Sequence, residues 1–346
     1  MSIDVSLDSL GWRPHFQSQL GLDQLAVPAR VMSVHRGRVE IAQQEGRSSV
    51  ALAGPSAEMK LTVGDWVLLD DDGRISKRLE PFSIFQRRAA GSAAEIQTIA
   101  ANVDTLFIVT SANRDFNVAR LERYLAIAHD AGAFPVIVIT KADLADSPQE
   151  FAIDAGKLAP GVLVETVDAR DTDEVGVLKA WCGAGQTVAL LGSSGVGKST
   201  IINSLAGVEQ GTSAAREDDQ RGRHTTTSRS MHALADGGWL IDTPGMRELQ
   251  LVDIGDALDD VFSDVAVLAT QCRFGNCAHD TEPGCAVQAA IKNEELDADR
   301  LRRYRKLQAE DRRNTESVAE RRSRDKDFGK LIKSVLSEKD QQRGGK

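Results

Sequence analysis

Gly192-Ser193-Ser194-Gly195-Val196-Gly197-Lys198-Ser199 has the spacing G-x-x-x-x-G-K-[ST]. Glycines at those places let consecutive backbone N–H groups curl around a phosphate. Lys198 is positioned to reach the β- and γ-phosphates of a nucleotide, and the Ser199 hydroxyl to ligate Mg²⁺. Thr200 follows and completes the phosphate-side set. Asp242-Thr243-Pro244-Gly245 supplies a carboxylate for the Mg²⁺ shell and, at Gly245, an N–H that can sense a γ-phosphate. Between them, Arg221-Gly222-Arg223-His224-Thr225-Thr226-Thr227 has the make-up of a switch loop closing on Mg²⁺. Thr226 is taken as its ligand, with Thr225 the alternative.

Thr140-Lys141-Ala142-Asp143 fits [NT]-K-x-D. A carboxylate there can accept from guanine N1–H and N2–H₂, a donor pair that adenine lacks. The Lys141 stem can lie along the purine face. Val167-Asp168-Ala169 is placed to offer a backbone N–H to guanine O6. The nucleotide expected is therefore GTP or GDP.

A different chemistry is written in Cys272, Cys277, His279 and Cys285, spaced C-x₄-C-x-H-x₅-C. Three thiolates and one imidazole form a closed tetrahedral set, the form of a structural zinc site with no position left for a reactive water. One zinc per chain is expected. Cys182 stands apart and reads as a core residue.

These residues need elements to hold them. Thr187 to Leu191 is an apolar strand run feeding the phosphate loop. A helix is predicted from Lys198 through Leu205, its N-terminus adding partial positive charge. Val103–Val109, Phe134–Ile139, Val162–Val167 and Gly238–Ile241 read as further strands. A helix is predicted over Val118–Ala131, capped by Asn117 and stopped by Gly132. Strands alternating with helices imply a doubly wound α/β domain with a parallel sheet. Ahead of it, Ala29–Val34, Arg38–Ile41, Ser49–Leu52 and Asp65–Leu69 are short runs split by turns, the pattern of a small OB-type β-barrel. Such barrels often bind oligonucleotides, and Arg30, Arg36, Arg38, Arg47, Arg74, Lys77 and Arg78 give this one positive charge; a spacer domain is the alternative. Beyond Leu249 the chain reads as helical apart from the cysteine cluster. The domains expected are a flexible arm over 1–25, the barrel over 26–85, the α/β domain over 86–250 and a helical metal-binding domain over 251–346.

Of the 346 residues, 41% are hydrophobic and 27% charged, which excludes global disorder and allows a sizeable core. No apolar run approaches the ~20 residues of a membrane span, and Met1–Gly21 has no signal-peptide core. A soluble cytoplasmic protein without membrane contact is expected, as a monomer. The net charge of −9 is uneven. From Arg300 to Lys346 there are sixteen Lys and Arg against eight Asp and Glu, which leaves −17 for residues 1–299. A basic tail on an acidic body suits an anionic partner.

The order of motifs is unusual, because Thr140–Asp143 precedes Gly192–Ser199. A circular permutation explains it, since it leaves the neighbours in the sheet unchanged. With the barrel before and the Cys/His set behind, the chain resembles the ribosome small-subunit-dependent GTPase A (RsgA/YjeQ) family. That resemblance implies a circularly permuted P-loop GTPase between an OB barrel and a helical zinc domain. It further implies binding to the small (30S) ribosomal subunit and its rRNA, late in subunit maturation, with weak GTP hydrolysis stimulated by the subunit. Two departures stand out. Asp168-Ala169-Arg170 replaces the S-A-K of many GTPases, and Met246 replaces the glutamine that orients water after D-x-x-G. His224 is the candidate for that missing role, with contact to rRNA or solvent as its alternative. Two other readings are a GTP-regulated binding scaffold and, opposed by Thr140–Asp143, an ATPase or nucleotide kinase.

Overall fold

The computed structural model of the chain describes residues 6–21, 26–88, 96–207, 229–242, 249 and 254–315. Five strands open it: β1 (Val27–His35), β2 (Arg38–Gln43), β3 (Gly46–Ala51), β4 (Trp66–Leu69) and β5 (Ile75–Arg78). They pair antiparallel in the order β3-β2-β1-β4-β5. Their alternate side chains, including Val31, Val39, Ile41, Val67 and Ile75, close on a small apolar core. These five strands include the short runs expected ahead of the α/β domain. No pairing of β3 with β5 occurs among the described residues, so the ring is open there.

Residues 6–21 correct the expectation of a flexible arm. A 3₁₀ turn at Asp8–Leu10 and helix α1 (Pro14–Gln17) put Leu10 and Phe16 in the main core. Trp12 meets Trp66 edge-on at 4.9 Å, and Trp239 Nε1 donates to Ser9 O at 2.8 Å. The polar residues between these apolar ones hid a stripe that covers the barrel. Arg30 is a second correction, since it is buried and presents nothing to RNA. It donates to Thr187 Oγ1 (2.8 Å), Asn102 O (3.1 Å) and Leu10 O, which ties the N-terminal segment, the barrel and the α/β sheet together. Burial lowers its pKa to about 10, so it stays charged at neutral pH. Arg78 is likewise engaged within the N-terminal unit, by the buried Asp65 at 2.8 Å, whereas Arg74 stays exposed beside Asp72.

A short helix, α2 (Pro55–Glu58), lies within the barrel, and a hairpin of β6 (Ile84–Arg88) and β7 (Ile96–Ala101) follows it. Strands β8 (Thr105–Ser111), β9 (Phe134–Thr140), β10 (Leu163–Val167), β11 (Thr187–Gly192), β12 (Arg229–Ala233) and β13 (Trp239–Asp242) alternate with α3 (Val118–Asp130), α4 (Pro148–Gly156), α5 (Thr172–Val175) and α6 (Lys198–Leu205). The sheet order is β10-β9-β8-β11-β13-β12, parallel except for β12. Helices α3 and α4 cover one face, α5 and α6 the other, as a doubly wound sheet requires. The sheet does not end at β12: Ser230 pairs with Ser33 and Arg229 with Val34 of β1, so barrel and α/β sheet are continuous.

After β13 the described chain is helical: α7 (Gly255–Val261), α8 (Ser263–Ala269), α9 (Ala286–Lys292) and α10 (Ala298–Thr315). Charge docks this bundle on α3. Glu122 is buried and accepts from Arg300 Nη1 and Arg303 Nε, both at 2.8 Å, while Arg300 also holds Asp264 at 2.9 Å. Arg123 reaches Glu310 and donates to Leu249 O at 3.0 Å.

Candidate functional site

Strands β8, β9 and β10 step outward in one direction, while β11 and β13 lie on the other side of β8. The crevice where a parallel sheet changes direction, at the carboxyl ends of its strands, is where such folds take ligands. Gly192–Ser199 leaves β11 there, Thr140–Asp143 leaves β9, Asp168–Asp171 leaves β10, and Asp242 ends β13.

The loop after β11 needs its glycines. A Cβ on Gly192 would stand 2.2 Å from Val109 O, so any side chain would push the loop off its neighbouring strand. Gly195 and Gly197 have φ of 79° and 96°, the left-handed region that glycine enters without steric cost. Lys198 folds back over the loop and donates to Gly192 O at 2.8 Å and to Ser193 O. Ser193 and Thr200 are half-buried and Val196 buried, whereas Ser194 and Ser199 are exposed. Asp242 is exposed at the end of β13, one strand over from the phosphate loop. An exposed hydroxyl in the first turn of α6 and an exposed carboxylate at the end of β13 are donors of the hard oxygen type that Mg²⁺ takes. His224, Thr226 and Gly245 lie outside the described residues.

The loops after β9 and β10 meet the phosphate loop around a cavity of about 180 Å³ lined by Thr140, Lys141, Asp143, Ala169, Arg170 and Gly197, among others. Thr140 is buried, with its hydroxyl 2.6 Å from Val196 O and 3.0 Å from Thr110 O. Ser204 Oγ donates to Ala169 O at 3.3 Å. Lys141 is left-handed, φ 58°, which turns the chain so that Asp143 faces the cavity rim.

The loop after β10 is built from its own charges. Glu174 accepts the Asp168 N–H at 2.7 Å, and Asp168 Oδ1 accepts the Arg170 N–H at 2.9 Å. With Val167 in the strand ladder, the expected backbone donor to a base narrows to Ala169. Arg170 reaches Asp143 Oδ2 at 2.5 Å. Hydrogen bonds from Arg170 hold the Asp168 carboxyl below the usual carboxylate range, and Asp168 raises Arg170 in turn. The Arg170–Asp143 contact was not foreseen. Its one signal in the sequence is an arginine standing between Asp168 and Asp171 in a loop otherwise acidic.

Cys272, Cys277, His279 and Cys285 come together as expected, with all four ligand atoms within 4.8 Å of one another. Cys272 Sγ and Cys285 Sγ are 3.9 Å apart, and His279 Nδ1 lies 3.5 and 3.6 Å from them. A tetrahedral metal with bonds of about 2.3 Å to sulfur and 2.0–2.1 Å to nitrogen requires separations of roughly 3.5–3.8 Å, which the spacing of Cys272, His279 and Cys285 approaches, with Cys277 as the fourth donor within 4.8 Å. The surroundings hold the ligands still. The Gln288 N–H donates to Cys285 Sγ at 3.4 Å, and Gln288 Nε2 to His279 O at 2.5 Å. Glu282 accepts from the N–H groups of Ala278 and Asp280, both at 2.8 Å.

Residues 79–252 match the family model of the RsgA GTPase. The chain belongs to the RsgA GTPase family. It is 50% identical over 342 residues to the small ribosomal subunit biogenesis GTPase RsgA 2 of Vibrio parahaemolyticus, covering 98% of this chain and 95% of the relative. It is 49% identical to small ribosomal subunit biogenesis GTPase RsgA of Mesorhizobium japonicum, covering 90% and 91%. Among solved structures, it is similar to YjeQ from Thermotoga maritima, with a TM-score of 0.62 and 24% identity, covering 82% of this chain and 97% of that one. It is also similar to YloQ, described as a circularly permuted GTPase, with a TM-score of 0.60 and 22% identity, covering 86% and 99%. The fold is thus that of a circularly permuted GTPase, in agreement with the order of the RsgA motifs along the chain. Among the described residues, no helix is long and apolar enough to cross a membrane.

Proposed function

We propose that this RsgA-family GTPase hydrolyses GTP, binds the small ribosomal subunit, and assists the subunit's late maturation in the cytoplasm, with hydrolysis stimulated by the subunit. The observation that carries the reading is the convergence of the loops after β9, β10 and β11 on one cavity. In this assignment Asp143 reads the guanine edge, Lys141 covers the purine face and Ala169 N–H meets O6. The loop Gly192–Thr200 holds the phosphates, with Gly245 sensing the γ-phosphate. Ser199, Asp242 and Thr226 hold Mg²⁺, which supplies charge neutralisation on the phosphates. Met246 has no group to position water, and His224 takes that role. Zinc is assigned to Cys272, Cys277, His279 and Cys285, as a brace with no open position. The domains are assigned as the barrel over 26–85, the GTPase over 86–250 and the zinc and helical domain over 251–346.

Two surfaces support the RNA side of the proposal. Arg36 and Arg38 stand exposed at the β1–β2 turn. Between the metal loop and α10 runs a groove of about 710 Å³, lined by Tyr304, Arg305, Gln308, Arg312 and Arg313 with His279 at one end. Phosphate contacts of this kind weaken with salt, with a log–log slope of about −0.7 to −0.9 per phosphate neutralised.

The deciding experiment is GTP turnover by the purified protein with and without isolated small subunits, at several salt concentrations. Stimulation that declines with salt is expected. Binding of subunits without stimulation favours the alternative, a GTP-regulated scaffold with incidental hydrolysis, for which Met246 is the supporting observation.

A further inference from the structure

Arg170 stands at the rim of the base cavity with its guanidinium shared between two carboxylates. Nη2 lies 2.5 Å from Asp143 Oδ2, while Nε and Nη2 lie 3.2 Å from Asp168 Oδ1 and Oδ2. The grip of Asp168 is built into the loop, because the same carboxylate accepts the Arg170 backbone N–H and Glu174 anchors Asp168 from behind. One carboxylate thus holds the arginine at both side chain and backbone, and the other by a single contact.

A guanidinium presents a carboxylate with N–H donors on a flat, delocalised group. The N1–H and N2–H₂ edge of guanine presents the same pattern. We propose that Arg170 is a built-in competitor for guanine, paired with Asp143 until the base takes that carboxylate and retained at the rim by Asp168 afterwards. The inference rests on Asp143 reading the base. Guanine then binds by exchange, replacing one donor set by another. Adenine has no donor pair for Asp143, so it would displace Arg170 with nothing in return. The cost of breaking the Arg170–Asp143 pair is common to both purines, so the arginine weakens binding of the base and leaves discrimination to the donor pair that only guanine offers Asp143.

The size of the effect is bounded. Arg170 is 63% exposed and the Asp143 side chain 28%. An ion pair in that setting shifts an equilibrium by up to about five-fold.

The test is the affinity of the full chain for guanosine and for adenosine, by calorimetry. Nucleosides carry no phosphate, so removal of a positive charge does not alter the attraction of an anion. Arg170→Ala is expected to bind guanosine about two- to five-fold more tightly than the wild type. The gain should vanish in an Asp143→Asn background, where the double variant should match the single one. Arg170→Lys, which keeps the charge and loses the planar fork, should fall between wild type and Arg170→Ala. Unchanged or weaker guanosine binding by Arg170→Ala overturns the proposal, as does an equal gain in the Asp143→Asn background. Equal binding of guanosine and adenosine by the wild type, with no effect of Asp143→Asn, instead removes Asp143 from base recognition and the competitor with it.

Discussion

The Thr140 hydroxyl lies 2.6 Å from the Val196 carbonyl, and so joins the end of β9, where its loop begins, to the loop after β11. The two loops are 56 residues apart in the chain and leave strands separated by β8. Strand pairing fixes the strands but leaves each loop to find its own path. A buried side-chain hydrogen bond sets their distance beside the cavity that Thr140 and Gly197 line.

Thr140→Val keeps the shape and removes that bond, leaving Val196 O and Thr110 O without the hydroxyl. A net loss of about 1 kcal/mol of folded-state stability is expected, read as a melting temperature lower by about 2–4 °C, together with GDP binding weaker by up to about five-fold. Calorimetric titration with GDP measures it. Unchanged affinity would mean that the loops are aligned by the strands without help.

What was legible in the sequence was local. The helix Val118–Asp130 needed only Asn117, whose side chain accepts the Arg120 N–H at 2.9 Å, and Gly132 with φ 75° behind it. The phosphate loop and the cysteine set announce themselves by spacing, because their chemistry forces residues close in sequence to be close in space. What was missed depends on distant partners. Arg30 looks like a surface charge until Thr187, 157 residues away, accepts from it. Leu10 and Phe16 look like a loose arm until Trp66 is beside them. Arg170 is one charge among many until β9 and β10 lie side by side. The hairpin of β6 and β7 has no core face of its own strong enough to mark it before it meets the barrel.

The metal site yields a prediction with two separable readouts. Cys277→Ser should abolish the bound zinc, measured by elemental analysis. Binding energies of such small sites are on the order of 10 kcal/mol, so the loop Cys272–Cys285 should open to protease. GDP affinity should stay within about two-fold, because none of the four ligands is among the residues that line the base cavity. Zinc retained in the variant, or nucleotide affinity lost with it, would contradict the assignment.

Glu122 offers a test of how the C-terminal bundle is held. Its carboxylate is buried between Arg300 and Arg303, and burial pushes its pKa up against the pull of both arginines. Removing one partner of such a cluster leaves buried charge uncompensated, at a cost of about 3–5 kcal/mol. Glu122→Ala should lower the denaturant midpoint and separate unfolding of the bundle from that of the GTPase sheet. Glu122→Gln, which keeps an acceptor, should cost less. Unfolding unchanged in both would show that the apolar contacts of Phe262, Leu301 and Tyr304 dock the bundle unaided.

Asp65 ties acid titration to the barrel. Its carboxylate is fully buried, accepts the Thr62 N–H at 2.7 Å and pairs with Arg78 at 2.8 Å. Burial raises its pKa to about 6, with the hydrogen bond and charge of Arg78 opposing, against 3.8 in the unfolded chain. Between those values the folded state holds more protons than the unfolded one. Stability from this group is therefore full below about pH 4, falls as pH rises towards 6, and is level above. A gap of about two pKa units corresponds to ~3 kcal/mol. Urea unfolding of wild type and Asp65→Asn, compared pH by pH, isolates the group from the other acids. The wild type should lose up to ~3 kcal/mol relative to the variant between pH 4 and pH 6.5, with no further drift above. A difference that is flat with pH, or that grows in favour of the wild type as pH rises, would mean that Arg78 outweighs burial and holds the carboxylate charged throughout.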